Sequence, residues 1–278
     1  MKKDYDEKIT EHYNQVAIDD QSSYFSTMKD EYTRQSETNA IFSFIDKIVK
    51  ERQSEGNTTP VVIMDIGCGN GYTLDELSKK NPSLQFVGIE KNDSLRNIAE
   101  KRFADRTNVK IKSGDIRDSD FTEDNSVDIL ICQRVLINLL DPKDQKSALN
   151  NIVNKVRKGN ASHSSGKMLF IEAFKVPLDN LNRSRDEFKL KAIPEAIHNL
   201  YLDENFFEHA NIEVYPFIPS NFLSTHYFVT RVLHDVFLTT TKTEFIRNSE
   251  FVKFFSDALR PNVGDYSPLK LLTFNIKK

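Results

Sequence analysis

The chain has 278 residues and a formal charge of −3, from 38 Lys and Arg against 41 Asp and Glu. That length can bury a full core in one large domain, and that balance disfavours a broad nucleic-acid surface, which needs a basic face. Two cysteines, Cys68 and Cys132, exclude a disulfide scaffold and a multi-cysteine zinc site.

Residues 1–60 are polar and read as mostly helical. Ile41, Phe44, Ile45, Ile48 and Val49 recur at helical spacing before residues 56–60 break the pattern. Residues 61–66 are a β-branched apolar run of the kind found in a buried parallel strand. Leu74 and Leu77 then start a helix. The alternation repeats, with strands expected at 84–90, 109–112, 127–133 and 168–174. The helix after the second strand should be capped by Asp93 or Ser94. Asp141 and Pro142 should open another as cap and first residue, with Gly159 beyond its end. This order implies a doubly wound, mostly parallel sheet. Residues 175–210 look like a helical insertion. Residues 212–217 and 222–232 are candidate late strands, or a strand and a helix. Residues 243–259 read as helix and 271–276 as a final strand. No run reaches the ~18 apolar residues of a membrane span, and the N-terminus lacks a secretory apolar segment. The expectation is a cytoplasmic protein with no membrane partner.

Glycine numbers only nine, yet Gly67, Gly69 and Gly71 fall within five positions. In the segment Asp65-Ile-Gly-Cys-Gly-Asn-Gly71 they sit between a strand and a helix, where a ligand can approach the backbone. Dinucleotide enzymes use G-x-G-x-x-G at this place. Here the last step is one residue shorter, and Asp65 precedes the first glycine by two, which suits a cationic ligand group better than a pyrophosphate. The spacing counts against a nicotinamide dehydrogenase.

The D-x-G-x-G-x-G pattern resembles the first motif of the class I S-adenosylmethionine-dependent methyltransferases. The resemblance continues with Glu90 at the end of the second strand, Ser113-Gly-Asp-Ile116 after the third and residues 131–139 at the end of the fourth. It implies a Rossmann-like seven-stranded α/β sheet with S-adenosylmethionine as cofactor. Residues 1–60 would be a helical segment covering the cofactor site. Residues 61–278 would be the methyltransferase domain, with a substrate-covering insertion at about 175–210. Within that resemblance Glu90 would take the ribose hydroxyls, as an acceptor-only carboxylate can, with Lys91 beside it. Asp115 and Ile116 would meet the adenine. Gly67, Cys68 and Gly69 would approach the cofactor with Asp65, and Gln133 and Arg134 would line its methionine portion.

A narrower resemblance is to a bacterial subgroup of small-molecule methyltransferases associated with surface-sugar or natural-product pathways. It rests on Thr27-Met-Lys-Asp30 with Arg34 and Glu37, on residues 133–139, on Asn182, Arg185, Ile193-Pro194 and residues 198–204, and on Thr225-His-Tyr227 with Arg231-Val232. It implies Met28 and Arg34 at the cofactor, Arg34 on its carboxylate as a guanidinium fork would be, with Asp30 orienting it. The alternative for Arg34 is a surface ion pair with Glu37 on one helix face. Asn138, Asn182, Arg185 and Arg231 are the substrate-binding candidates. Arg134 and Asn138 could equally tie the insertion to the sheet.

Methyl transfer requires nucleophile, methyl and sulfur in line in a dry pocket, and an alcohol acceptor gains from a base. His198 is the first candidate base, with Tyr201 and Tyr227 as further catalytic candidates. His226 comes second, and His163 reads as solvated. Each histidine also has a purely structural reading. No histidine–carboxylate pattern calls for a metal. Cys68 and Cys132 read as small buried apolar residues. The late cluster among the 20 phenylalanines reads as core, as an acceptor pocket or as a homodimer interface. The expected function is methyl transfer from S-adenosylmethionine to an oxygen or nitrogen of a small molecule, such as a sugar or natural-product intermediate. The alternatives are an RNA or protein methyltransferase and a non-catalytic cofactor-binding module.

Overall fold

The computed structural model describes residues 5–20, 23, 28–160 and 164–277. Thr27 and His163 lie outside them. Seven strands form one sheet: β1 Val62–Ile66, β2 Gln85–Glu90, β3 Val109–Ser113, β4 Ile129–Gln133, β5 Lys167–Ala173, β6 Ile212–Val214 and β7 Leu269–Ile276. Their order is β3-β2-β1-β4-β5-β7-β6. β1 to β5 pair in parallel, and β7 runs antiparallel to β5 and β6. β1 and β4 lie in the apolar runs of the sequence, and β5 is buried along its whole length, as a strand covered on both faces must be.

Helices α1 Asp6–Asp20, α2 Glu31–Ser54, α3 Tyr72–Lys80, α4 Asp93–Arg102, α5 Pro142–Lys155 and α6 Lys175–Glu187 surround the sheet. α2 starts where the Asp30 carboxylate accepts from Thr33 N and buries Ile41, Phe44, Ile45 and Ile48. Its far end is fixed by a buried ion pair between Arg52 and Asp128 at 2.9 Å. Asp128 also accepts from Arg157 Nε and Val62 N, so the same carboxylate ties α2 to the start of the sheet. α5 opens on Asp141 as cap with Pro142 first. The cap of α4 is Asn92, whose side chain accepts from Leu95 N, rather than Asp93 or Ser94.

Of the two readings the sequence leaves open for the late chain, the structure takes the strand followed by a helix. Residues 222–232 form no strand. α7 Ser224–Phe228, a π-turn Val229–Leu233 and α8 His234–Thr241 run on as one rod. Buried Leu223, His226, Val229, Thr230 and Val232 recur at three- and four-residue steps, so the helical period overrides the β-branched composition. The helix expected at 243–259 is confined to α9 Glu250–Ala258, because Ser249 caps it by accepting from Val252 N. In the insertion only α6 and a 3-10 turn Phe206–His209 are helical. Between them the chain crosses the sheet edge, anchored by Leu200 N donating to Ile137 O and by a bridge between Phe174 and Leu202.

Candidate active site

A cavity of about 1080 Å³ opens at the carboxyl edge of the sheet, where the strand order reverses between β1 and β4. That is the ligand position of open α/β sheets. Its floor is the turn after β1. Gly67 has φ +64, and a Cβ there would stand 2.5 Å from Val135 Cγ2. Gly71 has φ +77 at the cap of α3, where a Cβ would meet Phe103 at 2.6 Å. Both positions are closed to larger residues by conformation and by space. The turn is tied to β2 by Gly67 N and Cys68 N donating to Ile89 O and by Gly69 N donating to Glu90 Oε2 at 2.8 Å.

Three buried ionisable groups surround this turn. Glu90 also accepts from Asn92 N at 2.7 Å, and burial raises its pKa against those bonds. Asp65, one residue before the end of β1, is buried. Burial first, then the neighbouring Glu90 charge, pushes it up to about 8, opposed by Arg34. Arg34, over the Tyr72 ring at 5.4 Å, is pushed down to about 10 by burial and by Arg134. An acid held above its usual range beside a guanidinium held below its own is an environment that a bound ammonium and carboxylate would relieve together. The donor set therefore fits the amino-acid end of S-adenosylmethionine. An ammonium beside Asp65 should displace its proton. S-adenosylhomocysteine affinity should therefore rise several-fold between pH 6 and pH 8, because binding lowers the Asp65 pKa and releases a proton. Calorimetry in buffers of different ionisation enthalpy counts that proton, and Asp65→Asn should abolish both the release and the rise.

At the end of the cavity expected for adenine, Asp115 lines the wall with Ile116. Its carboxylate is held by Arg117, at 2.6 Å, and by Lys91 at 3.0 Å. These partners hold it at about 2, against burial. Asp6 of α1 reaches the same two cations, at 3.0 and 3.1 Å. The acid expected at the adenine thus also latches α1 across the cavity.

α1 roofs the remainder. Asn138 Nδ2 donates to Tyr13 OH at 2.8 Å, and Asn92 and Ser94 donate to Asn14 Oδ1. His12 stacks on His198 with ring centres 3.8 Å apart. Burial, with His12 and Lys8 beside it, pushes His198 down to about 4, leaving a neutral imidazole at pH 7. Tyr201 and Tyr227 line the same chamber. Burial raises both phenols, so they are hydrogen-bond donors at neutral pH. Met28, Gln133, Arg134, Asn138 and Arg231 also reach the cavity wall.

Several expected roles are corrected. Glu37 pairs not with Arg34 but with Arg134, and accepts from Gln133 Nε2 at 2.7 Å. Asp30 does not orient the Arg34 side chain. It caps α2 and accepts from His226 Nε2 at 2.9 Å, while His226 Nδ1 meets Ser256 Oγ at 2.7 Å. His226 is thereby a buried link between α2, α7 and α9. Asn182 and Arg185 are outside the cavity lining. Asn182 exchanges two bonds with the Ile193 backbone, and Arg185 binds Lys191 O, Arg231 O and Asp235. They brace the insertion. Cys68 and Cys132 are free and buried.

Sequence reading missed the roof residues Asp6, Tyr13 and Asn14, and it missed Glu172. Glu172 Oε1 accepts from Val135 N at 2.9 Å and Leu136 N at 3.0 Å, and Oε2 accepts from Ile137 N at 3.3 Å. It thereby shapes the turn after β4 that carries Arg134 and Asn138. Its one sequence sign is a lone carboxylate inside an apolar strand. Among the described residues no helix is long and apolar enough to cross a membrane.

Residues 63–159 match a family described as a methyltransferase domain. A tRNA (guanine-N(7)-)-methyltransferase of Halalkalibacterium halodurans is 35% identical over 94 residues, which are 33% of this chain and 40% of that relative. The chain thus spans well under half of that protein's length. Magnesium protoporphyrin IX methyltransferase from Synechocystis PCC 6803 superposes with a TM-score of 0.55 at 10% identity, covering 98% of this chain and 99% of that one. An N-methyltransferase from Bradyrhizobium japonicum WM9 superposes with a TM-score of 0.53 at 13% identity, over 97% and 99% of the two chains. These two likenesses establish the fold. With the glycine turn inside the matched segment and the sheet order around it, residues 63–159 are similar to a methyltransferase domain and lie within a seven-stranded Rossmann-like fold shared with these two methyltransferases.

Proposed function

We propose that the chain transfers a methyl group from S-adenosylmethionine to an oxygen or nitrogen of a small molecule. The observation that carries this reading is one continuous cavity in which the buried Asp65, Glu90 and Arg34 adjoin an aromatic chamber under α1. Small-ligand clefts occupy ~300–1,000 Å³, so about 1080 Å³ has room for the cofactor and an acceptor together.

The sulfonium supplies an activated methyl that an acceptor lone pair displaces in line. Arg34 and Asp65 would hold the cofactor's carboxylate and ammonium, and Glu90 its ribose hydroxyls. α1, fastened by Asp6 and Tyr13, excludes water from the reacting centre. Tyr201 and Tyr227 would orient the nucleophile by donating hydrogen bonds. His198, held near 4, would accept a hydrogen bond from an acceptor hydroxyl but is a weak base at pH 7. The pH profile is then set by the acceptor and by Asp65 rather than by a histidine titrating near 6.5.

The test is methyl transfer from radiolabelled S-adenosylmethionine to a small-molecule extract and, in parallel, to total tRNA. Label in the small-molecule fraction alone supports this reading. Label in tRNA supports the second reading, an RNA acceptor, which the tRNA methyltransferase relative favours.

A further inference from the structure

Beyond β5, the wall of the cavity carries a charge of one sign. The segments after β5 contribute Tyr201, Tyr227, His198, Asn199 and Arg231 together with apolar side chains, and among the described residues no carboxylate. The lining acids lie elsewhere. Asp65 and Glu90 flank the glycine turn, Asp6 and Asp115 share Lys91 and Arg117, and Asp19 and Asp93 sit on α1 and α4.

Of the three arginines on the wall, Arg34 lies beside Asp65 at the amino-acid end and Arg134 is paired with Glu37. Arg231 differs from both. Its guanidinium rests over the Tyr227 ring at 5.6 Å. Its nearest carboxylate, Asp30, is 3.9 Å away and already accepts from Thr33 N and from His226 Nε2 on both oxygens. A guanidinium forms its strong paired bonds to an anion at ~2.7–2.9 Å, so Asp30 leaves that fork unfilled. The backbone carries a second mark. Arg231 is the middle residue of the π-turn Val229–Leu233 between α7 and α8. Such turns are rare within helices and concentrate at functional sites, where the extra residue re-aims a side chain.

We propose that the acceptor is a small carboxylate-bearing molecule whose carboxylate is held by Arg231 while its body lies against Tyr227 and Tyr201. This rests on the methyltransferase reading and names the substrate class of the same site. Arg231 would be a specificity-determining residue, and the cofactor end would not depend on it.

An extract of the cells that make the protein is split on an anion exchanger at pH 7. Each fraction is incubated with labelled S-adenosylmethionine and wild-type protein, Arg231→Gln or Arg231→Lys. S-adenosylhomocysteine affinity is measured for all three. The expected result is label in a retained product that phosphatase leaves unchanged. Its yield should fall at least tenfold in Arg231→Gln and be partly restored in Arg231→Lys, with S-adenosylhomocysteine affinity within twofold of wild type. Label in the unretained fraction, a product altered by phosphatase, or equal labelling by Arg231→Gln overturns the proposal and leaves the methyltransferase reading standing. Bound S-adenosylhomocysteine with no label in either fraction also overturns it. Wild-type protein that binds no S-adenosylhomocysteine removes the reading beneath it. Loss of that binding in Arg231→Gln alone assigns the residue to the cofactor instead, which again overturns the proposal.

Discussion

Glu90→Ala should weaken S-adenosylhomocysteine binding by about a hundredfold or more. Glu90 is 8% exposed at the end of β2, with one oxygen bonded to Gly69 N and the other to Asn92 N. Each carboxylate oxygen can accept a second bond, so both ribose hydroxyls could be served without breaking either. Hydrogen bonds to a charged group contribute ~1.5–3 kcal/mol each. Losing two at the lower bound is ~3 kcal/mol, a little over a hundredfold in affinity. The glycine turn would also lose its anchor at Gly69. Glu90→Gln separates the two effects, because its amide keeps one acceptor oxygen and should fall between the extremes. Calorimetric titration reads both variants, and an alanine variant within fivefold of wild type would remove Glu90 from the cofactor site.

The ease of reading that half of the cavity has a structural cause. In a parallel sheet the residues at successive strand ends converge on one edge. Asp65 with the glycine turn, Glu90, Asp115 and Gln133 therefore occupy corresponding places in a sequence of repeating strands and helices, and a local pattern finds each of them. The other half is assembled across long separations. Tyr13 meets Asn138 across 125 residues, and His226 meets Asp30 across 196. Neither contact has a local signature. Arg34 and Glu37 show the limit from the opposite side. Their spacing puts them on one helix face, yet Glu37 turns to Arg134, whose left-handed φ of +57 no sequence pattern announces. Asn182 and Arg185 are polar residues in a segment that does border the cavity. Their backbone partners at Ile193, Lys191 and Arg231 hold the insertion in place from behind the wall. At 222–232, where the sequence leaves strand and helix both open, the choice is made for a related reason. Composition favours strand there, but the buried positions follow a helical step.

Glu172→Ala should cost about 3–5 kcal/mol of stability, because a fully buried carboxylate would vanish from three backbone N–H groups that it alone satisfies. The donors belong to Val135, Leu136 and Ile137, and the figure takes the lower part of the ~1–3 kcal/mol for each buried group left unsatisfied, because the Val135 bond is only part-buried. For a chain of 278 residues that is a fall of roughly 5–9 °C in Tm. Urea unfolding measures it, and a loss below about 1 kcal/mol would show that the turn re-forms without the carboxylate. The same group sets a pH dependence. Burial raises Glu172 from 4.5 to about 7, opposed by the three backbone N–H groups and by Cys132 Sγ at 3.5 Å. Oε2 carries only the long contact to Ile137 N and has room for the proton. Between pH 4.5 and about 7 the folded state then holds a proton that the unfolded state has lost. Stability from this group is complete below pH 4.5 and declines as pH rises to about 7. Glu172→Gln cannot ionise and should flatten that part of the profile while keeping an acceptor for Val135 N and Leu136 N. The alanine variant should be flat and far less stable. A wild-type profile that rises across this window, with glutamine matching it, would mean that the backbone donors outweigh burial and hold Glu172 as a carboxylate throughout. The turn bearing Arg134 and Asn138 would then rest on a fixed charge rather than on a group that gains a proton near neutrality.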